Sequence, residues 1–137
     1  MPFTYQIEDN GTIVHIVGVD RGDLPSARAT LANFMADAQL SSTFGLLIDV
    51  RPLRNMPSME EAESLSTLGR AARPKREHCA ALVVKPGLQY GVARIIQALA
   101  ELKGARISVF TDDAAALEWV RGQLPAVPSS GGVLPDM

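Results

Sequence analysis

Three short apolar runs, separated by stretches of helix length, constrain the fold of this chain most strongly. They are FGLLIDV, CAALVV and ARISVF, and each is bounded by turn-forming or polar residues. A short, continuous apolar run of this kind predicts a strand that is buried on both faces. Because helical patterns lie between the runs, we predict parallel strands joined by right-handed helical crossovers.

The N-terminal segment predicts a different kind of strand pairing. FTYQIE alternates large and polar residues, with Phe3, Tyr5 and Ile7 on one face, and TIVHIVGV follows the turn DNG at residues 9–11. Asn and Gly tolerate positive φ, so DNG predicts a tight hairpin. The sequence therefore predicts an α/β fold. It has a single mixed five-stranded sheet with an N-terminal hairpin edge, then parallel strands, and about four helices in the order ββαβαβαβα.

The third predicted helix, in LQYGVARIIQALAELKG, has the clearest amphipathic pattern. Its apolar residues recur three and four positions apart, so we predict that they share one buried face. They are Leu88, Val92, Ile95, Ile96, Leu99 and Leu102. Gly104 follows as the C-terminal stop of this helix. The last helix is predicted in TDDAAALEWVRGQL, with Thr111 or Asp112 as its N-cap.

Composition limits both the size and the class of the protein. The 137 residues predict one domain over residues 1–122 and a mobile tail rich in Pro, Gly and Ser over residues 123–137. Apolar residues make up 47% and charged residues 20%, which is typical of a folded globular protein. The net charge of -2 gives no electrostatic reason to expect nucleic-acid binding. Neither a secretory leader nor an apolar segment of membrane-spanning length is evident, so we predict a cytoplasmic protein.

The sequence contains none of the common catalytic or nucleotide-binding motifs. G-x-G-x-x-G, G-x-x-x-x-G-K-[ST], G-x-S-x-G and H-E-x-x-H are all absent. The single cysteine excludes an internal disulfide and a multi-cysteine metal site. We therefore predict a protein that is not an enzyme and that uses no cofactor or metal.

The turn KPGLQYG joins the strand CAALVV to the third helix and is a candidate site for a small ligand. It brings Lys85, Gly87, Tyr90 and Gly91 to a helix N-terminus, where backbone N–H groups can bind an anion. The alternative is structural, because two glycines four residues apart also suit a turn and close packing of a helix on a sheet.

The loop that follows FGLLIDV is the main candidate for a partner-binding site. Asp49 ends the predicted central strand, at the edge where open α/β sheets place functional groups. Ser58 and Glu61 have the spacing of a capping box, which predicts the start of the second helix. Ser58 is either a helix cap alone or a phosphorylation site near two arginines. The predicted partner-binding residues are Asp49, Arg51, Arg54, Asn55, Met56, Ser58 and Met59.

The order of strands and helices, together with GLLIDVRPL, ALVVKPGLQYGVAR and ISVFTDDAAALEWVRG, resembles the SpoIIAA-like or STAS superfamily. The likeness extends from Phe3 to Gly122 and implies the SpoIIAA-like fold. In the anti-sigma-factor antagonists of that superfamily, an Asp closes the central strand and a phosphorylated Ser stands at the next helix. Asp49 and Ser58 match these two positions. The D-S-[ST]-G motif itself is missing, since NMPSME has Asn55 where the acid stands, so the resemblance alone does not imply phosphorylation of Ser58.

The resemblance implies two functions. The first is a non-catalytic regulatory module that binds another protein through the loop, with Met56 as an apolar anchor. The alternative is a carrier of a small hydrophobic or anionic, lipid-like ligand, in which Met56, Met59 and Tyr90 line a groove between helices. The sequence leaves open whether the protein is a monomer or a homodimer. A homodimer would form either through the unpaired first strand or through helices.

Overall fold

The computed structural model describes residues 2–58, 60, 61, 64 and 76–124. Five strands and three complete helices lie within these residues. The strands are β1 (Phe3–Glu8), β2 (Ile13–Gly18), β3 (Thr43–Asp49), β4 (Arg76–Val83) and β5 (Ile107–Phe110). The helices are α1 (Leu24–Met35), α2 (Leu88–Leu102) and α3 (Asp113–Gln123).

The five strands form one mixed sheet in the order β1-β2-β3-β4-β5. β1 is antiparallel to β2, whereas every other neighbouring pair is parallel. At the hairpin turn, Asp9, Asn10 and Gly11 have φ values of 51°, 56° and 90°, the conformation that DNG favours. The predicted fold class is confirmed, including the antiparallel edge at the N-terminus.

The helix predicted from Ser58 falls mostly outside the described residues. Glu60, Glu61 and Ser64 are helical. The capping box is formed: the Glu61 N–H donates to Ser58 Oγ at 3.1 Å, and the Ser58 N–H donates to Glu61 Oε1 at 3.0 Å. The predicted start of this helix is therefore confirmed. Most of the predicted tail, from residue 125 onwards, also lies outside the described residues.

One face of the sheet, which we call the packed face, lies against α3. The strand residues that form its core are at most 2% exposed, and they are Ile13, Leu47, Cys79, Ala81 and Val83. Ala116 and Val120 of α3 are fully buried against them. A Cβ atom at Gly45 would lie 2.7 Å from Val120 Cγ1, which is closer than real Cβ contacts come. Glycine at this point of β3 therefore allows α3 to reach the sheet.

The opposite face, which we call the cavity face, carries α1 and α2. Right-handed crossovers that step across the sheet in one direction place their helices on one face, and this accounts for the arrangement. Phe34 of α1 packs edge-on against Tyr5 and Phe44. Ala93 of α2 is buried against the β4 side, next to Leu82. The two helices thus contact different strands of the same face.

The buried face of α2 differs from the prediction. The residues of this helix that are buried are Gln89, Ala93 and Ala100. Leu88 and Leu102 are instead 73% and 84% exposed, and Ile95 is 40% exposed. The prediction that these three residues lie on a buried face is wrong. Small side chains let the α2 backbone approach the sheet, which turns the row of larger residues away from it.

Candidate functional site

A cavity of about 230 Å³ lies between α1, α2 and the sheet. Its floor is formed by β3 and β4 through Leu46, Ile48, Ala80 and Leu82. These residues alternate along the strands with those of the packed face, because successive side chains of a strand point to opposite faces. The same two strands therefore serve a filled core on one side and an open space on the other.

The walls of the cavity come from the two helices and from the loop after β3. The wall residues include Ala27, Leu31 and Phe34 of α1, Val92, Ala93 and Ile96 of α2, and Leu53, Met56 and Pro57 of the loop. The lining is almost entirely apolar. Protein interiors seldom keep voids much larger than a water molecule. The volume lies below the roughly 300 Å³ at which pockets for drug-sized ligands begin, and below the closed pocket of that size expected for a carrier, so this space suits only a small apolar molecule.

The polar side chains that border the cavity have partners within the chain. The Thr30 hydroxyl donates to the Ser26 carbonyl at 3.0 Å. Asn55 donates through Nδ2 to the Gly22 carbonyl at 2.7 Å and accepts the Gly22 N–H through Oδ1 at 2.8 Å. Because their hydrogen-bonding groups are engaged, these side chains present little polarity to the space inside. The site therefore favours an apolar molecule over one that needs many hydrogen bonds.

Gln89 lines the cavity and joins two of its walls. Its side chain is buried, and its Oε1 atom accepts the Lys85 N–H at 2.8 Å. Its Nε2 atom donates to the carbonyls of Val50 and Leu53 at 2.9 and 3.2 Å. A buried amide with this many partners fixes the loop after β3 against the start of α2. Sequence reasoning missed Gln89, because its partners are 36 and 39 residues away in the chain.

Asp49 and Arg51 form the principal charged contact of the loop. Arg51 Nε donates to Asp49 Oδ1 at 3.0 Å and Arg51 Nη2 donates to Asp49 Oδ2 at 2.8 Å. Burial by itself raises the pKa of Asp49, but hydrogen bonds and charge from Arg51 outweigh it, so the pKa lies below its ordinary value. Arg51 also lies 3.7 Å from Asp113 at the start of α3. This cluster sits on the packed face, across the sheet from the cavity.

The other predicted partner-binding residues have different environments. The Arg54 side chain is exposed, while its N–H donates to the Asp20 carbonyl at 2.6 Å. Met56 is half-buried and lines the cavity. Ser58 is exposed at its helix start, and Met59 lies outside the described residues. The loop thus borders the cavity, and its use as a protein-binding surface stays a prediction.

The predicted anion-site residues surround the first turn of α2. Gly87 is the N-cap, with φ 97°, and no side chain caps this end of the helix. Tyr90 Oη accepts a hydrogen bond from Arg94 at 3.2 Å. A Cβ atom at Gly91 would meet nothing within 4 Å, so this glycine does not serve close packing on the sheet. Lys85 is exposed. Anion binding at this turn stays a prediction.

Metal-ligand clusters and membrane-spanning helices are both absent from the described part of the chain. No group of three or more His, Cys, Asp or Glu side chains is placed to hold a metal ion there. None of the helices in that part has the length and apolar character needed to cross a membrane.

Comparison with known proteins supports the fold. No family model matches the sequence, and no curated protein does so. Among solved structures, the chain is similar to an uncharacterised protein of the DUF3478 family from Shewanella loihica PV-4, which has a SpoIIAA-like fold. The two are 20% identical with a TM-score of 0.59, and the match covers 86% of this chain and 93% of that one. At this identity the likeness shows the fold alone: the chain has the SpoIIAA-like fold.

Proposed function

We propose that this protein is a non-catalytic carrier that binds a small apolar molecule in the cavity between α1, α2 and the sheet. The observation that supports the proposal is the almost wholly apolar lining of a space of about 230 Å³. An engineered apolar cavity of about 150 Å³ is already large enough to bind benzene. The space here has room for a larger hydrocarbon group.

Energetics support the same proposal. The space is partly open to solvent, so its apolar lining meets water when it is empty, at a cost of about 25 cal/mol for each Å² or on the order of several kcal/mol in all. A single domain has a net stability of only about 5–15 kcal/mol, so such a cost is large. An apolar ligand would offset it by restoring the missing dispersion contacts and by removing its own surface from water.

The experiment compares two alanines of α1 that differ in their position relative to the cavity. Ala27 lines the cavity, whereas Ala29 is exposed on the same helix. We expect Ala27→Phe to fill the space and to weaken binding of the neutral fluorophore N-phenyl-1-naphthylamine by at least about tenfold. Ala29→Phe is the matched control and should bind the fluorophore like the parent protein. Circular dichroism checks that both variants are folded.

Three outcomes of this experiment would count against the carrier. The parent protein could fail to bind the fluorophore and also appear only as bare chain in native mass spectrometry. Both phenylalanine variants could bind equally well, which would place the fluorophore elsewhere. Ala29→Phe alone could lose binding, which would point to the outer surface of α1.

A regulatory protein-binding module is our second proposal. The observation that favours it is the exposure of Arg54 and Ser58 on one loop, with Ser58 at a helix start. A phosphate at such a position is stabilised by the helix N-terminus and by a nearby arginine. Phosphoproteomics of the native cells, together with partner capture by the parent and by Ser58→Asp, tests it. If Ser58 is never modified and Ser58→Asp captures the same partners as the parent protein, then Ser58 serves only as a helix cap.

A further inference from the structure

The outer surface of α2 carries a row of non-polar residues that the fold leaves in water. It consists of Leu88, Gly91, Ile95, Ala98 and Leu102, all exposed, and we call it the outer row. Its members are three and four positions apart, so they lie along one side of the helix. Four large hydrophobic residues are exposed among the described residues, and three of them belong to this row. A contiguous exposed patch of this kind marks an interaction surface.

Gly91 adds an independent observation. It lies inside a helix, where glycine is less stable than alanine. Its φ is not positive, and a Cβ atom placed on it would meet nothing within 4 Å. The described part of one chain therefore gives no reason for glycine here. A second helix that crosses the outer row closely would supply one, because glycine lets two helix backbones approach.

The charges beside the outer row indicate which molecule supplies the second helix. Arg94 and Glu101 are both exposed and stand seven residues apart, so they lie on the same flank of α2. Neither takes part in an ion pair among the described residues. Their contacts lie within α2: Arg94 donates to Tyr90 at 3.2 Å and lies over its ring at 5.9 Å from the centroid, and Gln97 donates to Glu101 at 3.3 Å. This flank thus carries one charge of each sign.

We propose that the outer row is the interface between two copies of this chain, with the two α2 helices packed antiparallel. In this arrangement a two-fold axis runs perpendicular to the plane of the two helices. It places the flank with Arg94 and Glu101 on the same side of the interface in both copies, and the two flanks run in opposite directions. Arg94 of each copy then faces Glu101 of the other, so two complementary pairs flank the apolar seam. A parallel pairing would instead set this flank against the apolar side that contains Val92 and Leu99.

The length of α2 limits the affinity of self-association that we expect. A 15-residue helix is about 22 Å long, so one helix pair is at the small end of stable interfaces. Self-association should therefore depend on concentration over about 1–100 µM, a range that sedimentation velocity and light scattering of the full chain can follow. This proposal does not depend on what occupies the cavity.

Two exposed hydrophobic residues provide a matched test. Ile95 is 40% exposed within the outer row, and Val19 is 38% exposed at the end of β2. We expect Ile95→Glu to weaken self-association by at least about tenfold, because a charge would be buried at the seam. Val19→Glu should leave it unchanged. A parent protein that is monomeric throughout the range overturns the proposal, as does a dimer that Ile95→Glu does not weaken.

Charge exchange tests the antiparallel geometry. Arg94→Glu and Glu101→Arg should each weaken the dimer, because each places like charges opposite one another. The double variant restores both pairs and should associate like the parent protein. Two weakened single variants without recovery in the double variant would overturn the antiparallel arrangement. If the protein were monomeric and bound anionic phospholipid vesicles through Ile95, the occupant of the outer row would be a membrane, and the proposal of a second copy would be overturned.

Discussion

The packed face and the cavity face of the sheet are built from alternate residues of the same strands. On the packed face, Leu47 and Val83 are at most 2% exposed, and α3 approaches so closely that Gly45 has no room for a side chain. On the cavity face, the neighbouring residues Leu46 and Leu82 border a space of about 230 Å³. Strand sequence alone does not produce this difference, since both sets of residues are apolar.

The difference lies in the helices. α3 packs on the sheet through residues with no exposed area, such as Ala116 and Val120. α1 and α2 contact different parts of the cavity face, and the space of about 230 Å³ lies between these two helices among the described residues. One face therefore supplies a compact core, while the other borders the space in which we propose that an apolar molecule binds.

The largest effect that we expect compares two adjacent leucines of β3. Leu47→Ala on the packed face should cost about 3–5 kcal/mol of unfolding free energy, because the surrounding atoms cannot close the new cavity. Leu46→Ala on the cavity face removes the same atoms beside existing space, so its cost should be near the lower limit of about 2 kcal/mol. Denaturant unfolding of both variants measures the difference. Equal losses of unfolding free energy, or a larger loss for Leu46→Ala, would mean that the two faces do not differ in packing.

A smaller effect is expected from adding one methyl group to the packed face. Gly45→Ala should destabilise the protein by about 1–3 kcal/mol, since its Cβ would press against Val120 and Cys79. Gly91→Ala is the control, because a Cβ atom there meets open space. The control should be neutral or slightly stabilising in the monomer, owing to the better helix propensity of alanine. A neutral Gly45→Ala in thermal melting would mean that α3 can move away from the sheet.

The smallest effect concerns the charged contact at the rim of the packed face. The pKa of Asp49 is lowered in the folded state, so the Asp49–Arg51 pair stabilises the fold above about pH 4. That stability is lost as the pH falls through the lowered pKa. Asp49→Asn should cost on the order of 1 kcal/mol at pH 7 and progressively less below about pH 4. Unfolding free energies that differ by the same amount at pH 7 and pH 3 would contradict this.

Most of the fold could be predicted because its signals are local. The positive φ values of DNG, the capping box of Ser58 and Glu61, and the three apolar strand runs each depend on a few neighbouring residues. Asp112, one of the two predicted caps of α3, accepts the Ala115 N–H at 2.9 Å. Such features follow from backbone conformation and hydrogen bonding, so the sequence alone predicts them.

The candidate site was harder to predict because its contacts are distant in the chain. An apolar stripe on α2 indicates that something covers it, but periodicity does not say whether this is the chain's own sheet or another molecule. The exposed positions of Leu88 and Leu102 could not be anticipated for this reason. The sequence likewise suggests that the polar side chain of Gln89 lies at the surface, because its contacts with Val50 and Leu53 are distant in the chain. The cavity itself depends on the spacing between α1 and α2.

Methyl NMR spectroscopy during titration with N-phenyl-1-naphthylamine tests the functional contrast between the faces most directly. Binding in the cavity predicts saturable shifts for methyl groups that border it, at Leu46, Leu82 and Ile96. It predicts no comparable shifts at Leu47 and Val120, which lie in the packed core. Shifts of similar size on both faces, or an unchanged spectrum at high fluorophore concentration, would contradict the proposal that the cavity face holds an apolar ligand.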